Sequence, residues 1–261
     1  MKQRFLLAKE WVAQMGEYLR EATSQPFGVS TKTGHQDIVT AHDKKVEQFF
    51  RDSIHRYFPQ DEIVGEEFSG KIGTGSGIRW YIDPIDGTTN FVNLRRNFAI
   101  SVGCYREGQP QFGLVLDVIQ KDLYSAFAGE GAYKNAQKLG DGRIPESLGE
   151  MILSTPNVQD AFWREYPQQK AMLRLADEVR AVRCMGSVAL ELCQVAEGVV
   201  DIFVAMRSAP WDHNAARLIL QEAGCRISQF GEEELCLDRE TSIYACRSGT
   251  VERKLRTEYG F

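Results

Sequence analysis

The apolar positions of the first 60 residues recur with the spacing of amphipathic helices. Between residues 4 and 22 they return every three or four positions, which predicts a helix. A second helix is predicted from Thr40, because Thr40 and Asp43 form the Thr-x-x-acid pattern of a capping box ahead of another apolar stripe. Pro59 marks its expected end, since proline cannot continue a helix.

The pattern changes to short, strand-like apolar runs between residues 62 and 128. Turn-forming stretches such as "REGQP" and "AGEGAY" separate several of these runs. We therefore expect a sheet in this part of the chain, built at least in part as an antiparallel meander. The runs are "EIVG", "IRWYI", "FAISVGCY", "FGLVLDV" and "LYSAFA".

From about residue 150, strand-like and helix-like stretches alternate. Alternation of this kind is typical of an α/β arrangement with helices packed on a sheet. The change of pattern divides the chain into an N-terminal α+β subdomain over 1–145 and a C-terminal α/β subdomain over 146–261. Strands are expected at "MILST", "RAVRCM", "VVDIFVA" and "SIYAC", and helices over 159–178, 187–197, 212–223 and 250–257.

Composition and charge narrow the class of protein. A chain of 261 residues with 43% hydrophobic residues has the composition of a globular protein with a sizeable core. Its formal net charge of −5 argues against a dedicated nucleic-acid-binding protein, which normally carries a basic face. No apolar stretch of the sequence is long enough to cross a membrane, and the six cysteines include no CxxC pair. We expect a cytoplasmic protein with reduced thiols.

Candidate chemistry begins in the stretch "WYIDPIDGTTNF", where an apolar run ends in two aspartates. Pro84 of this stretch restricts the backbone so that the chain must turn, and Gly87 permits a sharp turn. Asp83, Asp86 and the backbone carbonyl of Ile85 can then face one point, and oxygen ligands of this kind suit a hard cation such as Mg²⁺. The alternative is that Asp86 caps a helix beginning at "GTTNF", which leaves Asp83 without a role.

Two other segments add carboxylates. "VGEEF" places Glu66 and Glu67 just after a strand-like run, and "PWDHNAA" places Asp212 at the start of an apolar helix. Taken singly, the glutamates are typical of solvated loop charges and Asp212 of a helix N-cap. In α/β architecture, strand ends and helix starts tend to face one cleft, so these carboxylates are expected to gather there. Gathered carboxylates repel one another unless cations compensate their charge.

Four segments, taken in order along the chain, resemble the inositol monophosphatase family. They are "DIVTAHD" (37–43), "GEE" (65–67), "WYIDPIDGTTNF" (80–91) and "PWDHNAA" (210–216). The resemblance spans nearly the whole chain. It implies an α/β (α+β) fold layered α-β-α-β-α, and Mg²⁺-dependent hydrolysis of phosphate monoesters. It also implies a small phosphorylated substrate as the binding partner, a homodimer and inhibition by lithium.

The resemblance implies a metal site that binds two or three Mg²⁺ ions. A metal-activated water is then expected to attack phosphorus in line, without a covalent protein nucleophile. Glu67 and Lys32 match positions that lie near the metals in the family. The positions that match metal ligands are Glu66, Asp83, Asp86, Asp212 and the Ile85 carbonyl.

The resemblance also implies how phosphate and water are held. Gly87 and Thr88 match positions whose backbone N–H groups meet the phosphate, which agrees with the anion affinity of a helix start. Thr88 and Asp43 match the pair that orients and deprotonates the attacking water, and Glu66 is the third candidate catalytic residue. Asp43 also fits the third position of the capping box. One oxygen cannot fill both roles, but a carboxylate has two.

The segment "VRCMGSVALEL" aligns with the part of the family that contacts the inositol ring. Gly186 and Ser187 are the candidates there, with Arg183 beside them; a strand-to-helix turn with Ser187 as N-cap is the compatible alternative. Ala205 stands seven residues before Asp212, where animal inositol monophosphatases carry a ring-binding glutamate. A methyl group cannot accept hydrogen bonds from ring hydroxyls, so strict inositol selectivity is not expected.

A phosphatase with a broad or shifted substrate range is therefore the expected function. Fructose 1,6-bisphosphate, NADP and 3′-phosphonucleotides are the alternative substrates. Arg207 could meet a second anionic group of such a substrate, or it could be a surface charge. A regulatory member that acts through protein or RNA partners is the alternative from another class. The intact set of ligand positions and the acidic charge argue against it.

Overall fold

The computed structural model describes residues 1–25, 28–34, 37–68, 77–232 and 235–261, without the side chains of 31–39. Within these ranges, two large sheets alternate with layers of helices, and a two-stranded hairpin stands apart from both sheets. Over the same ranges, no helix has both the length and the apolar character needed to cross a membrane.

Helices and strands account for most of the described chain. The α-helices are α1 (Lys2–Thr23), α2 (Ala41–Tyr57), α3 (Thr88–Asn93), α4 (Gln169–Glu178), α5 (Val188–Glu197), α6 (Pro210–Glu222) and α7 (Gly249–Tyr259). The strands are β1 (Val29–Gly34), β2 (Asp37–Thr40), β3 (Glu62–Gly65), β4 (Ile78–Asp86), β5 (Ala99–Arg106), β6 (Gln109–Asp117), β7 (Asp122–Phe127), β8 (Ala132–Lys134), β9 (Gln137–Lys138), β10 (Ile152–Ser154), β11 (Ala181–Arg183), β12 (Ile202–Ser208), β13 (Arg226–Gln229) and β14 (Thr241–Cys246).

The larger sheet carries its strands in the order β3-β4-β5-β6-β7-β8-β9. Strand β3 runs parallel to β4, and every later pair of neighbours is antiparallel, so the predicted meander is confirmed from β4 onward. The apolar stripes of α1 and α2 pack on one face of this sheet, around the fully buried Trp80 and Phe112. These two helices were predicted from their periodicity, and both are confirmed.

The smaller sheet has the order β11-β10-β12-β14-β13 and mixes parallel with antiparallel pairs. Helices α5 and α6 lie between the two sheets, in a core that includes Val115 from the larger sheet and Phe203 from the smaller one. Helices α4 and α7 cover the outer face of the smaller sheet. The predicted layering α-β-α-β-α is thus confirmed.

Two glycines of the larger sheet let α6 approach it closely. A Cβ at Gly113 would lie 2.0 Å from the carbonyl oxygen of Ala215 in α6, and a Cβ at Gly103 would lie 3.0 Å from the backbone nitrogen of the same residue. Any side chain at Gly113 would force the helix away from the sheet. The close approach fixes the position of Asp212, in the first turn of α6, relative to β4.

The prediction of one helix over 159–178 is wrong. A π-helical turn over Gln159–Trp163 and helix α4 are separate elements, with Pro167 between them. Proline has no backbone donor and disfavours helical backbone at the residue before it, so the apolar periodicity could not continue through this point. Strand β13 was not predicted, because its four residues "RISQ" hold a single apolar side chain and depend on pairing with β14.

Candidate active site

Parallel pairing of β3 with β4 brings two acidic segments together. Gly65 at the end of β3 lies opposite Ile82 of β4, so Glu66 and Asp83 follow at the same edge of the sheet. Burial raises the pKa of Asp83, and the nearby Glu66 carboxylate raises it further by its charge and by a hydrogen bond. The strand register therefore joins two motifs that are distant in sequence.

Asp86 and Asp212 complete the acidic cluster, which we define as Glu66, Asp83, Asp86 and Asp212. Asp86 ends β4, and the Asp212 Oδ2 accepts a hydrogen bond of 2.7 Å from the backbone N–H of Ala209. Asp212 is the third residue of α6 and not its N-cap, which corrects that alternative.

Burial and mutual repulsion raise the pKa of each aspartate in the cluster. The pKa values of Asp83 and Asp212 lie well above the ordinary range, first because burial disfavours the charged form and then because the other cluster carboxylates repel it. Burial raises the pKa of Asp86 to about 6, although hydrogen bonds from the N-terminus of α5 lower it. A cation bound among these groups would offset both the burial and the repulsion.

The donor chemistry of the cluster fits a hard divalent cation. In the part of the chain that the structure describes, no three His, Cys, Asp or Glu side chains are already grouped as a metal-binding shell. The donors are nonetheless all oxygens, and the Ile85 carbonyl lies at the same turn, 3.0 Å from the Thr88 hydroxyl oxygen. Mg²⁺ is usually bound through one or two carboxylates and keeps several waters, so it does not need a complete protein shell.

Asp86 does not cap the short helix α3, and that alternative from the sequence is wrong. The N-cap of α3 is Gly87, which has no side chain to form a cap. The Asp86 carboxylate instead accepts hydrogen bonds from the N–H groups of Val188 (3.1 Å) and Ala189 (2.8 Å) and from the Ser187 hydroxyl. It thereby joins the end of β4 to the N-terminus of α5, where the helix dipole favours negative charge.

Thr88 and Asp43 form a hydrogen-bonded pair beside the acidic cluster. The Thr88 Oγ1 lies 3.1 Å from Asp43 Oδ1. Asp43 Oδ2 accepts hydrogen bonds from the Thr40 backbone N–H at 2.8 Å and from the Thr40 hydroxyl at 2.6 Å, so the predicted capping box is confirmed. The cap and the contact with Thr88 use different oxygens of one carboxylate. Burial raises the pKa of Asp43, although these hydrogen bonds lower it.

Two glycine turns from different segments meet at the cluster. Gly87 and Gly186 both have left-handed backbone, with φ of +89° and +81°. A Cβ at Gly87 would lie 3.0 Å from the carbonyl oxygen of Gly186, so the two backbones are in contact. Ser187 follows as the N-cap of α5 and accepts a hydrogen bond from the Leu190 N–H, so the predicted N-cap is confirmed.

The two arginines proposed from the sequence, Arg183 and Arg207, both form hydrogen bonds within the protein. Arg183 is exposed and donates to the carbonyl of Val182. Arg207 donates from Nε and Nη2 to the two carboxylate oxygens of Glu240, at 2.8 and 2.9 Å. Glu240 is near enough to the cluster to raise the pKa of Asp212. If Arg207 binds a second anionic group of a substrate, it must exchange Glu240 for that group.

Three further positions were singled out from the sequence: Glu67, Ala205 and Lys32. The Glu67 backbone N–H donates to the Glu47 carboxylate at 2.6 Å, and the same carboxylate pairs with Arg51 at 2.7 Å. Glu47 therefore holds the turn that carries the "GEE" motif. Ala205 is 1% exposed and packs in the core with α5 and α6. The side chain of Lys32 lies outside the described residues.

Sequence reasoning missed two buried glutamates, Glu47 and Glu191, that support the site. Glu47 is four residues before Arg51 on the buried face of α2, and that spacing was the available signal. Glu191 lies within the apolar run of α5 and accepts hydrogen bonds from the turn at Gly186. Nothing in the local pattern distinguishes Glu191 from a solvated helix residue, because its partners come from tertiary contact.

Comparisons with known proteins show which family the chain resembles. A family model described as the inositol monophosphatase family matches residues 1–258. The inositol-1-monophosphatase of Bacillus subtilis (strain 168) is 40% identical over 240 residues, which cover 92% of this chain and 90% of the relative. A Thermotoga maritima fructose-1,6-bisphosphatase/inositol-1-monophosphatase is 36% identical over 208 residues (79% and 77%). The Nus factor SuhB of Escherichia coli (strain K12) is 34% identical over 201 residues (77% and 75%).

Solved structures show the same architecture. Inositol monophosphatase II from Staphylococcus aureus MSSA476 superposes with a TM-score of 0.87 at 31% identity, over 100% of this chain and 96% of that chain. SaIMPase-II has been solved with inositol monophosphate bound and with 2′AMP bound. An IMPase/NADP phosphatase complexed with Mg²⁺ and phosphate superposes with a TM-score of 0.87 at 25% identity, over 98% of this chain and 94% of that chain.

The layered fold, the family match and the similarity to inositol monophosphatases show that the chain is a phosphoric monoester hydrolase of the α/β class. Since the family match extends from residue 1 to residue 258, the chain belongs to the inositol monophosphatase family.

Proposed function

We propose that the protein hydrolyses small phosphate monoesters with Mg²⁺, including inositol 1-phosphate, and that its substrate range extends beyond inositol phosphates. The observation that carries this proposal is the acidic cluster, whose aspartates have raised pKa values beside the Thr88–Asp43 pair. Carboxylates that repel one another at a buried strand end are typical of a cation site. The relatives named above as phosphatases support the same reaction class.

The residues proposed to hold two or three Mg²⁺ ions all present oxygen. When bound, Mg²⁺ neutralises phosphate charge and makes a bound water more acidic. The related phosphatase complex that contains Mg²⁺ and phosphate supports the choice of metal. The proposed ligands are Glu66, Asp83, Asp86, Asp212 and the Ile85 carbonyl.

Thr88 and Asp43 are proposed to orient the attacking water and take its proton. The Thr88 hydroxyl can donate to Asp43 Oδ1 at 3.1 Å or to the Ile85 carbonyl at 3.0 Å, and in either case the Thr88 oxygen keeps lone pairs that can accept from the water. Burial raises the pKa of Asp43, so its carboxylate is a stronger proton acceptor than an exposed aspartate. Glu66 is proposed to assist the reaction as one of the metal ligands.

The two glycine turns are proposed to hold the substrate. Gly87 and Thr88 begin α3 and would donate backbone N–H groups to the phosphate. Gly186 and Ser187 would face the alcohol part, with Arg183 beside them. Glu67 and Lys32 remain proposed as residues near the metals, and Arg207 as a contact for a second anionic group.

Replacing one cluster aspartate tests the proposed reaction. We expect Asp212→Asn to lower Mg²⁺-dependent phosphate release from inositol 1-phosphate by at least about 100-fold, because a ligand charge is lost. Asp201→Asn is the matched control, since Asp201 is also buried but accepts from the Ile152 N–H at the other end of β12. Removing Mg²⁺ with EDTA should stop release in the native protein, and adding it back should restore release. Retained activity in Asp212→Asn would exclude Asp212 as a ligand.

A substrate panel tests the proposed range. Ala205 offers no hydrogen-bond acceptor where the animal enzymes carry glutamate, so kcat/KM for inositol 1-phosphate is expected to lie within about tenfold of at least one other substrate. Fructose 1,6-bisphosphate, NADP and 3′-phosphoadenosine 5′-phosphate form the panel. Strong selectivity for inositol 1-phosphate would contradict the role given to Ala205. Turnover on none of the four would exclude the phosphatase itself.

We further propose a cytoplasmic homodimer that lithium inhibits, on the strength of the family resemblance. Light scattering at several protein concentrations measures the oligomeric state. Lithium titration of phosphate release at fixed Mg²⁺ measures the inhibition. A monomer at all concentrations, or release that lithium leaves unchanged, would remove the corresponding part of the proposal.

A further inference from the structure

We propose that Glu191 is a positioning residue: it holds the turn over 185–187 in place and, through that turn, orients Asp86 for metal binding. The inference rests on the proposed function, because it takes Asp86 as a metal ligand. The carboxylate of Glu191 accepts hydrogen bonds from Ser154 and from the turn, and not from a residue proposed as a metal ligand. It acts one step further from the metal.

The contacts of Glu191 converge on one turn. Its Oε1 accepts hydrogen bonds from three consecutive backbone N–H groups, those of Met185 (3.3 Å), Gly186 (2.9 Å) and Ser187 (3.4 Å). Its Oε2 accepts from the Ser154 hydroxyl at the end of β10. Glu191 is 0% exposed. The carboxylate therefore satisfies one buried and two partly buried backbone donors, which are costly to leave unpaired.

The turn that Glu191 holds is also fixed from the other side. The Asn90 side-chain amide donates to the carbonyl of Met185 at 2.6 Å and to that of Asn97 at 2.8 Å. A Cβ at Gly186 would lie 3.0 Å from the Asn90 Nδ2. The turn is thus held between α3 and α5, with Glu191 on one side and Asn90 on the other.

The same turn leads directly into the groups that orient Asp86. Ser187 is the last residue of the turn, and its hydroxyl donates to Asp86. The next two residues, Val188 and Ala189, donate their N–H groups to the same carboxylate. A displacement of the turn would therefore move three donors to Asp86 together, since Ser187 ends the turn and Val188 and Ala189 follow it directly.

Burying a carboxylate at position 191 costs desolvation free energy. Burial raises the pKa of Glu191 to about 7, even though hydrogen bonds from Ser154 and from the turn lower it. Its neighbours Leu190, Leu192 and Cys193 are buried apolar residues in the core between the sheets. An apolar residue would avoid the desolvation of the carboxylate but could not accept from the three N–H groups.

Two substitutions separate the hydrogen bonds from the charge. Glu191→Gln keeps an oxygen toward the three N–H groups and can donate from its NH₂ group to the Ser154 oxygen. Glu191→Met keeps the side-chain length and removes both acceptors. We expect Glu191→Met to weaken Mg²⁺ binding about tenfold, because it displaces the groups that donate to Asp86, and disturbing such outer-shell partners typically costs at least this much affinity. Glu191→Gln should stay within about threefold of the native protein, because the contacts survive without the charge.

The control is a second glutamate on the same helix. Glu197 ends α5, and its carboxylate accepts from the Tyr124 hydroxyl at 2.5 Å and from Lys134 at 2.9 Å. Glu197→Met removes a partly buried, hydrogen-bonded carboxylate from α5 but leaves the turn untouched. It should lower the melting temperature without changing the affinity for Mg²⁺. If both Met variants weaken Mg²⁺ binding equally, the effect is general destabilisation and the inference is wrong.

The measurement is calorimetric titration of Mg²⁺ into the full chain, alongside phosphate release from inositol 1-phosphate over a range of Mg²⁺ concentrations. Unchanged Mg²⁺ affinity in a folded Glu191→Met would overturn the inference while leaving the proposed function intact. If Glu191→Met does not fold, Glu191→Ala, in which water can enter and meet the N–H groups, replaces it with the same expected direction. A native protein that neither binds Mg²⁺ nor releases phosphate would overturn the proposed function, and the inference with it.

Discussion

The end of β4 and the turn before α5 form two sides of the same site, and they are built in opposite ways. The β4 side is continuous in sequence: Asp83, Asp86 and Thr88 lie within six residues of one another. The α5 side is assembled by long-range contacts, in which Glu191 and Asn90 hold a turn between two helices. The first side presents the charges, and the second determines how one of them is oriented.

This difference concerns two kinds of group: those that carry the charge of the site and those that orient them. The charged groups of the acidic cluster stand in three short, recognisable motifs of the chain. The groups that orient them need only reach the right backbone atoms. They can come from any element that packs nearby, which is why Glu191 belongs to a helix whose neighbouring positions are apolar.

The largest effect is expected on the β4 side, from the Thr88–Asp43 pair. Thr88→Ala and Asp43→Asn should each lower kcat by about 100-fold or more with little change in KM, because a group that positions and deprotonates water acts mainly in the transition state. Thr89→Ala, at the exposed neighbouring position, is the control and should retain activity. Steady-state kinetics check this. A kcat within a few-fold of native in both variants would exclude the pair from the chemistry.

The next largest effect is on stability and comes from the buried pair behind the "GEE" turn. Glu47→Ala removes the only carboxylate described as pairing with Arg51, which is 4% exposed, and removes the acceptor of the Glu67 N–H. The expected loss in the free energy of unfolding is about 3–5 kcal/mol. Urea unfolding followed by circular dichroism measures it. A loss below 1 kcal/mol would show that the turn does not depend on Glu47.

A smaller effect is expected from alanine substitutions at two glycines. Comparing them separates the cost of a strained backbone from the cost of a steric contact in the turn before α5. Gly186 and Gly129 both have left-handed backbone, but only Gly186 has a neighbour, Asn90, within reach of an added Cβ. Gly129→Ala should cost about 1 kcal/mol from strain alone. Gly186→Ala should cost more and should also weaken Mg²⁺ binding, because the turn must shift. Equal losses of stability with unchanged Mg²⁺ affinity would contradict a positioning role for the turn.

The smallest effect is expected at the exposed pair of Arg207 and Glu240. Glu240→Gln should change the free energy of unfolding by less than about 1 kcal/mol, since exposed ion pairs contribute little. It should raise kcat/KM for fructose 1,6-bisphosphate relative to inositol 1-phosphate by a few-fold, because Arg207 is released to meet a second phosphate. Arg207→Gln is the counterpart and should lower that ratio. A ratio unchanged in both variants would mark the pair as a surface feature.

Much of the fold and the charged part of the site could be predicted from the sequence, for local reasons. The helices α1 and α2 and the meander follow from periodicity and turn residues over short windows. The capping box at Thr40 and the N-cap at Ser187 follow from side chains that bond to their own backbone. The four carboxylates of the cluster come from short motifs that contain all the residues concerned.

The parts that could not be predicted depend on contacts between distant segments. Asp86 was assigned an alternative role as the cap of α3, yet it binds the N-terminus of α5, about 100 residues later in the chain. Strand β13 forms because β14 pairs with it, and its own residues give little sign of a strand. Arg207 is exposed as expected for a surface charge, but its pairing with Glu240 is set by the approach of β14 to β12.

Calorimetric titration of Mg²⁺ into the native protein and into Asp83→Asn tests the metal site without relying on a chosen substrate. Asp83 is the aspartate on which burial and the charges of Glu66, Asp86 and Asp212 all act. The native protein should bind Mg²⁺ in a saturable manner, and Asp83→Asn should bind it at least about tenfold more weakly, since a carboxylate ligand is lost. Equal affinity in the two proteins, or no binding to the native protein, would contradict a cation site at the end of β4.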